Sequence, residues 1–376
     1  MCSSDLISRA SKLWVMAVLL LSGMSVLWLP LSAHSCTGIM LRNADGTIVH
    51  GRTLEFGMPV ESEIVIVPRG FEFVGKAPGG PGLKYKAKYG AVGTITFKDV
   101  AIADGLNEKG LAVGAFYLPT YAKYTAITNE NRSKALSAID FPNWILTQFE
   151  TVAEVKAAIE RGDVVIAPTV LEGWGPEAPP LHYAVYDKSG ACLVIEPIDG
   201  KLKVYDNPIG VLTNSPTFDW HMTNLRNYIA LNPRNVPPIV IDGVKLQAFG
   251  QGSGMLGLPG DFTPPARFVR AAVFSATAIP APNAEQGILQ VFHILNNFDI
   301  PVGIARERDK AGKLFTDSTQ FTGARDPQNL RYYYRSYDDQ TIRMVDLRKF
   351  DLNAKEVKRI STTSTQPVVD MSATAK

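Results

Sequence analysis

Cys36, Arg52 and Glu55 stand sixteen and then three residues apart in the stretch "HSCTGIMLRNADGTIVHGRTLEFG", His34 to Gly57. A thiol, a guanidinium and a carboxylate are the parts of a nucleophile, its electrostatic support and an anchor for a base. A thiol of pKa ~8.5 is mostly neutral at pH 7 and needs a base before it can attack. If Cys36 were the first residue of a cut chain, its own α-amine, pKa ~7.7–8.0, would lie beside the sulfur and serve as that base. A buried arginine would lower the thiol pKa, and a carboxylate would accept a hydrogen bond from the amine. Residues i and i+3 of a strand face opposite ways. Arg52 and Glu55 therefore both reach Cys36 only if the strand bends or ends near Thr53–Glu55. The alternative for this pair is a surface ion pair on a hairpin.

The segment before Cys36 reads as a secretory signal, residues 1–35. Arg9 and Lys12 form a positive start, and the 17 residues Leu13–Leu29 are a mainly apolar run. Pro30 follows, and Ala33 and Ser35 sit three and one before Cys36. The competing reading is a retained anchor, for which 17 residues is at the short end. Cleavage after Ser35 would expose Cys36 directly. Cleavage after Ala33 would leave His34-Ser35 for Cys36 itself to remove. Either route predicts a periplasmic or secreted protein that meets the membrane only through its signal.

The rest of the composition narrows the classes. Formal charge is +2 for the whole chain, and no long run of like charge occurs, so nucleic acid is not an expected partner. Of three cysteines, Cys2 leaves with the leader, and Cys192 in "GACLVIEP" reads as a buried small hydrophobe. The five histidines are scattered and show no metal-ligand spacing, so neither a metal nor a cofactor is expected. "GSGMLG" (Gly252–Gly257) lacks the context of a dinucleotide fingerprint and reads as a loop, perhaps beside a substrate pocket.

The elements that must position Cys36, Arg52 and Glu55 alternate in type. "TGIMLRN" and "TIVHGRTLE", joined by an Asp-Gly turn, predict a hairpin. More strands follow at "SEIVIVPR", "AVGTITF", "VAIADGL" and "GLAVGAFYL". Helices are expected at "FPNWILTQF" and "TVAEVKAAIERG", the second with a Thr151/Glu154 capping box and a Gly162 stop. Strands resume at "LHYAVYDKSGACLVIEP", "KLKVYDN" and "IGVLTNSP". Three helices come next, "FDWHMTNLRNYIAL", "TPPARFVRAAVFSATA" and "NAEQGILQVFHILNNF", and then strands "NLRYYYRSYDD" and "TIRMVDL". This order predicts α+β, with large antiparallel sheets and helices outside. No linker divides residues 36–350, read as one domain. Residues 351–376 read as an extension, disordered after about 360.

Four blocks occur in order: "CTGIMLRNADGTIVHGRTLEFG", "ADGLNEKGLAVGAFYLP", "IGVLTNSPTFDWHMTNLRNY" and "LGLPGDFTPPARFVRAA". Together they resemble the choloylglycine hydrolase and penicillin V acylase family over essentially residues 36–350. The resemblance implies an N-terminal nucleophile hydrolase that cleaves linear amides, folded as a four-layer αββα sandwich. It implies Cys36 as nucleophile, Arg52 beside it, and Glu55 where the family usually has aspartate. It implies that the Asn214 side chain and the Tyr117 backbone N–H bind the oxyanion, and that Arg267 is a second arginine of the network. Bile-salt hydrolases tend to carry asparagine at the Tyr117 position and penicillin V acylases tyrosine, which tilts the reading toward the acylase. The partner implied is a small acyl amide: penicillin V, a conjugated bile salt or an N-acyl homoserine lactone. A homotetramer is also implied. The non-enzymatic alternative is a lipoprotein lipidated at Cys36, although Ala33 and His34 depart from the usual lipobox.

Overall fold

The computed structural model describes residues 35–57, 60–96, 99–172, 174, 176–308 and 312–374. The expected signal peptide lies outside them except for Ser35. The described chain opens with β1 (Cys36–Arg42) and β2 (Ile48–Phe56), paired antiparallel with Cys36 opposite Leu54 and Gly38 opposite Arg52. Gly46, at φ 84°, makes the turn that the Asp-Gly pair predicts.

The chain then builds most of a second sheet. Its strands are β3 (Glu63–Val67), β4 (Ala91–Ile95), β5 (Ile102–Asn107), β6 (Ala112–Tyr117), β7 (Leu181–Tyr186), β8 (Cys192–Ile198) and β9 (Lys201–Asp206). Helices α1 (Phe141–Gln148) and α2 (Val152–Glu160) interrupt it between β6 and β7. Thr151 caps α2 by accepting from the Glu154 N–H at 3.2 Å, but the Glu154 carboxylate turns to the N–H of Glu150. Three more helices follow: α3 (Phe218–Asn224), α4 (Pro264–Thr277) and α5 (Ala284–Leu295). The first sheet is completed by β10 (Ala305–Arg308), β11 (Leu314–Asp326), β12 (Arg331–Ser336) and β13 (Arg343–Asp346). Finally β14 (Lys358–Ser361) closes the second sheet against β3. The strand orders are β1-β2-β11-β12-β13, with β10 on β11, and β9-β8-β7-β6-β5-β4-β3-β14.

Four layers result. Phe141, Trp144 and Ile145 of α1 and Val155 and Ile159 of α2 bury the outer face of the second sheet through Val113, Tyr183, Val185 and Ile195. On the other side α4 and α5 cover the first sheet, where Gly51 of β2 lets Val291 and Leu295 of α5 come close. The interior between the sheets is thin at one row, where Arg52 lies between Gly38 and Gly323 on neighbouring strands. A Cβ at Gly38 would stand 2.7 Å from the Phe116 ring, and one at Gly323 2.8 Å from Asp104 and from the Tyr332 hydroxyl. The glycines leave room for a large cation between two sheets.

Three features differ from expectation. The central strand of the first sheet, β11, was not anticipated: "LFTDSTQFTGARD" mixes polar residues into both faces and gives no alternation. "FDWHMTNLRNYIAL" is helical only to Asn224, with a single 3-10 turn at Leu225–Tyr228. The tail returns to the body as β14, and beyond it the N–H of Gln366 reaches the Asp338 carbonyl at 3.0 Å.

Candidate active site

Cys36 is buried at the first position of β1. Arg52, opposite Gly38, projects into the inter-sheet space, and its Nη2 lies 2.8 Å from the Cys36 sulfur. Its Nη1 donates to the Ala115 carbonyl at 2.6 Å, its Nε to the Thr53 carbonyl at 3.2 Å, and its guanidinium sits 4.5 Å over the Phe116 ring. The arginine is therefore held on three sides and pointed at sulfur.

Asn214 reaches the same residue by strand geometry. Gly38 and Leu212 exchange backbone hydrogen bonds of 2.7 and 3.1 Å, and two residues outward in an antiparallel pair Cys36 meets Asn214. The Cys36 N–H donates to Asn214 Oδ1 at 2.8 Å. Here Ser35 is still attached, so this nitrogen is a peptide N–H; in a chain starting at Cys36 it is the α-amine. Asn214 Nδ2 donates one hydrogen to the Tyr117 carbonyl at 2.8 Å, which leaves its second N–H for another acceptor. The Tyr117 backbone N–H itself is directed to the Cys36 sulfur.

Arg267 comes from the first turn of α4, set by Pro264 after Thr263. It donates to the Cys36 carbonyl, to Thr37 Oγ1 at 2.9 Å and to Asn214 Oδ1 at 2.6 Å. Cys36 is thus gripped at sulfur, nitrogen and carbonyl by three side chains distant in sequence.

Glu55 departs from expectation. Alternation along β2 sends it to the opposite face from Arg52, as spacing requires. Its Oε1 accepts from Thr319 Oγ1 at 3.0 Å, and its Oε2 has no hydrogen-bond partner among the described residues. Asn214 Oδ1, not this carboxylate, accepts from the Cys36 nitrogen in the uncut chain. The Glu55 backbone N–H donates to the Ser35 carbonyl at 2.9 Å, at the peptide bond that joins Ser35 to Cys36.

The electrostatics follow from burial. Desolvation pushes the Cys36 thiol above its usual 9.0; Arg52 is the largest opposing influence but does not win. Desolvation also pushes Glu55 from 4.5 to about 7, against Arg267. Asp317 of β11 rises to about 7 through burial and then the charge of Glu55. Near neutral pH these two carboxyls titrate as a pair.

Two buried histidines support the asparagine. His221 Nε2 donates to the Asn214 carbonyl at 2.8 Å, and burial lowers this ring to about 4, so it is neutral. His182 reaches the Thr213 carbonyl at 3.1 Å and Glu196 at 3.1 Å. Glu196 also accepts from the Phe218 N–H at 3.0 Å, which ties β8 to the start of α3.

A cavity of about 290 Å³ opens on Cys36. Leu54, Ile102, Ala115, Pro142 and Leu181 give it apolar walls, and Phe56, Tyr117 and Trp174 an aromatic one. The Trp174 ring lies 5.4 Å from Phe56 and 6.4 Å from Tyr117. Tyr117 therefore contributes its ring as well as its backbone. The Gly252–Gly257 loop is not in this wall; Gly254 packs instead on the carbonyls of Asn232 and Arg234. Spacing did not signal Asp317, Thr319 or Trp174, since the first two lie on the unrecognised β11 and the third on a loop. Among the described residues no group of His, Cys, Asp and Glu is arranged to hold a metal ion.

Comparison with known proteins bears on the family and the fold. The chain is 35% identical over 325 residues to a bile salt hydrolase/transferase of Clostridium perfringens, covering 86% of this chain and 95% of that one. Its fold matches the crystal structure of a mutant conjugated bile acid hydrolase from C. perfringens with a TM-score of 0.78 at 33% identity, over 89% of this chain and 99% of the other. It matches a penicillin V acylase from Agrobacterium tumefaciens with a TM-score of 0.68 at 26% identity, over 87% and 91%. Residues 36–360 match the model of linear amide C–N hydrolases, choloylglycine hydrolase family, and the chain belongs to that family.

Proposed function

We propose that this chain is an exported amide hydrolase whose first mature residue is Cys36, and that it cleaves an N-acyl amide such as penicillin V. The observation that carries the reading is the double grip on one residue: Arg52 at 2.8 Å from the sulfur and Asn214 at 2.8 Å from the nitrogen. The amine takes the thiol proton, and the thiolate attacks the amide carbonyl. The oxyanion is received by the Tyr117 N–H and the second N–H of Asn214. The ammonium then protonates the leaving nitrogen as the C–N bond breaks and a thioester remains. Water, losing a proton to the same amine, attacks the thioester, and the acid and free thiol are released. Arg52 and Arg267 hold the charge that develops around Cys36.

The aromatic wall of Phe56, Tyr117 and Trp174 supports an aryl acyl group beside the scissile carbonyl. The identity to a bile salt hydrolase supports a second reading, a conjugated bile salt; an N-acyl homoserine lactone fits the same chemistry. Turnover of penicillin V, glycocholate and a long-chain acyl homoserine lactone is measured side by side on secreted protein whose intact mass begins at Cys36. Hydrolysis of at least one supports the reading. A diacylglycerol adduct on Cys36 would block the amine and make the chain a lipoprotein instead.

The homotetramer expected from the resemblance also stands as a proposal. The hairpin Ile239–Ile241/Val244–Leu246 supports it, because it projects apolar side chains to solvent.

A further inference from the structure

A second cavity, of about 850 Å³, adjoins the apolar pocket, and Glu61, Thr96, Ile139 and Glu172 line both. The walls change character across this boundary. On the Cys36 side they are mainly apolar. Beyond it they are mostly polar: Ser62, Glu63, Lys76, Asp99, Ser361 and Thr363, with Leu171 as the apolar exception. Ser361 and Thr363 lie past residue 360, where the family match ends, so this chain's own tail builds part of the wall. The tail is fastened there: β14 pairs with β3, and Thr362 Oγ1 donates to the Ser62 carbonyl at 2.6 Å.

The charges of this compartment are unevenly paired. Lys76 is bonded to Asp99, and Glu63 is paired with Arg359 at 2.6 Å. Glu61 and Glu172 stand at the boundary and form no ion pair among the described residues. A chain running outward from Cys36 thus meets apolar walls first, then two carboxylates, then hydroxyls set among paired charges.

We infer that the second compartment is a subsite for the far end of a long acyl group, and that this end is polar and either uncharged or cationic. Hydroxyl or ammonium groups find acceptors there. A carboxylate would face Glu61 and Glu172, and like charges brought together in a cleft are disfavoured. The inference rests on the amide-hydrolase reading and narrows its substrate class.

The test uses mature protein and para-nitroanilides with one constant leaving amine. The acyl groups are phenoxyacetyl, hexanoyl, dodecanoyl, ω-hydroxydodecanoyl and the ω-carboxy analogue of the same length. The wild type is expected to favour the ω-hydroxy over the ω-carboxy substrate at least tenfold in kcat/KM. In the double variant Glu61→Gln/Glu172→Gln that ratio falls below threefold; because it is taken within one variant, a general loss of activity cancels. In Thr363→Leu the ω-hydroxy substrate loses its advantage over plain dodecanoyl. A wild-type ratio within twofold of one, or a ratio unchanged in the double variant, overturns the subsite while hydrolysis of the short anilides leaves the amidase reading intact. If no anilide and none of the three natural amides is turned over, the amidase reading fails and the subsite falls with it.

Discussion

The amino end of the first sheet and the arm around residues 229–260 carry opposite imbalances. At the first, charged or reactive groups are inside: Cys36, Arg52, Glu55 and Arg267 are each at most 4% exposed. At the second, apolar groups are outside: Ile239, Val240, Ile241 and Phe249 are all more than half exposed. The buried end is tolerable because Arg52 and Arg267 each spread their guanidinium over several acceptors, although Glu55 Oε2 is without a partner among the described residues. Its position is therefore over-determined. The arm has its own ladder of three residue pairs and no larger sheet to join, and such a hairpin is marginal alone. One region turns its reactive groups inward, and the other turns apolar side chains to solvent. Substitutions at the first should be felt in chemistry, and at the second in association.

The largest expected effect is that of Cys36→Ala. Turnover of any accepted amide should fall by about 10⁴-fold or more, because the substitution removes the thiol of the proposed mechanism while leaving the amine. The readout is kcat on protein of verified mature length. Residual activity above about one per cent would remove Cys36 from the chemistry.

Asn214→Ala should come next. It deletes the acceptor for the Cys36 nitrogen and the donor proposed for the oxyanion, so kcat should drop about 10²–10³-fold. KM for the same amide should move little, because the substrate's acyl end meets other walls. His221→Phe keeps the shape of the ring that stacks on Phe268 but removes the donor to the Asn214 carbonyl. A smaller loss of kcat, about tenfold, without a change in KM is expected if the histidine positions the asparagine. Equal kcat in wild type and variant would make it a packing residue only.

These residues differ in how visible they are in sequence. Cys36 and Arg52 are legible because one follows a signal-like segment and the other sits in the paired strand of an Asp-Gly hairpin. Glu55 was legible as a candidate, but strand alternation, a constraint stated at the outset, sends its carboxylate to Thr319. Asn214 and Arg267 lie 178 and 231 residues from Cys36, and only their place in collinear motifs marks them. The layered α+β class was legible from the order of strands and helices. β11 was not, because a central strand whose polar residues are paired on both faces loses the alternation that marks strands. Thr319, Asp317 and Arg325 all belong to it, and Arg325 lies 3.1 Å from Asp104 between the sheets. A buried polar network is set by tertiary partners, which one-dimensional pattern cannot display.

The Glu55–Asp317 pair gives an intermediate test. Both carboxyls rise to about 7 by burial first. Between their usual values near 4 and about 7 the folded state holds more protons than the unfolded chain, so stability falls as pH rises through that window. Melting temperature should decline from pH 5 to pH 8, other groups held equal. Glu55→Gln removes the like charge that helps to raise Asp317, so the Asp317 pKa drops and its part of the decline moves toward acid. A melting profile that is unchanged in Glu55→Gln would mean that the two carboxyls do not interact.

The smallest effect on the fold should come from the arm, and there the contrast is sharpest. Val240→Lys with Val244→Lys places two like charges on a hairpin that already faces solvent. Neither side chain loses a core, so the stability of the isolated chain should change by no more than about 0.5 kcal/mol. The same charges on a face that meets another copy would be desolvated together, and association should be lost. Light-scattering mass and melting temperature measured on one preparation separate the two effects. A lower mass with an unchanged melting midpoint of the dissociated chain assigns the arm to self-association. An unchanged mass removes the arm from that role, and an assembly would then have to be held by another surface. A large fall in stability with no change in mass would mean that the hairpin is anchored to its own body, and the difference drawn between the two regions would fail.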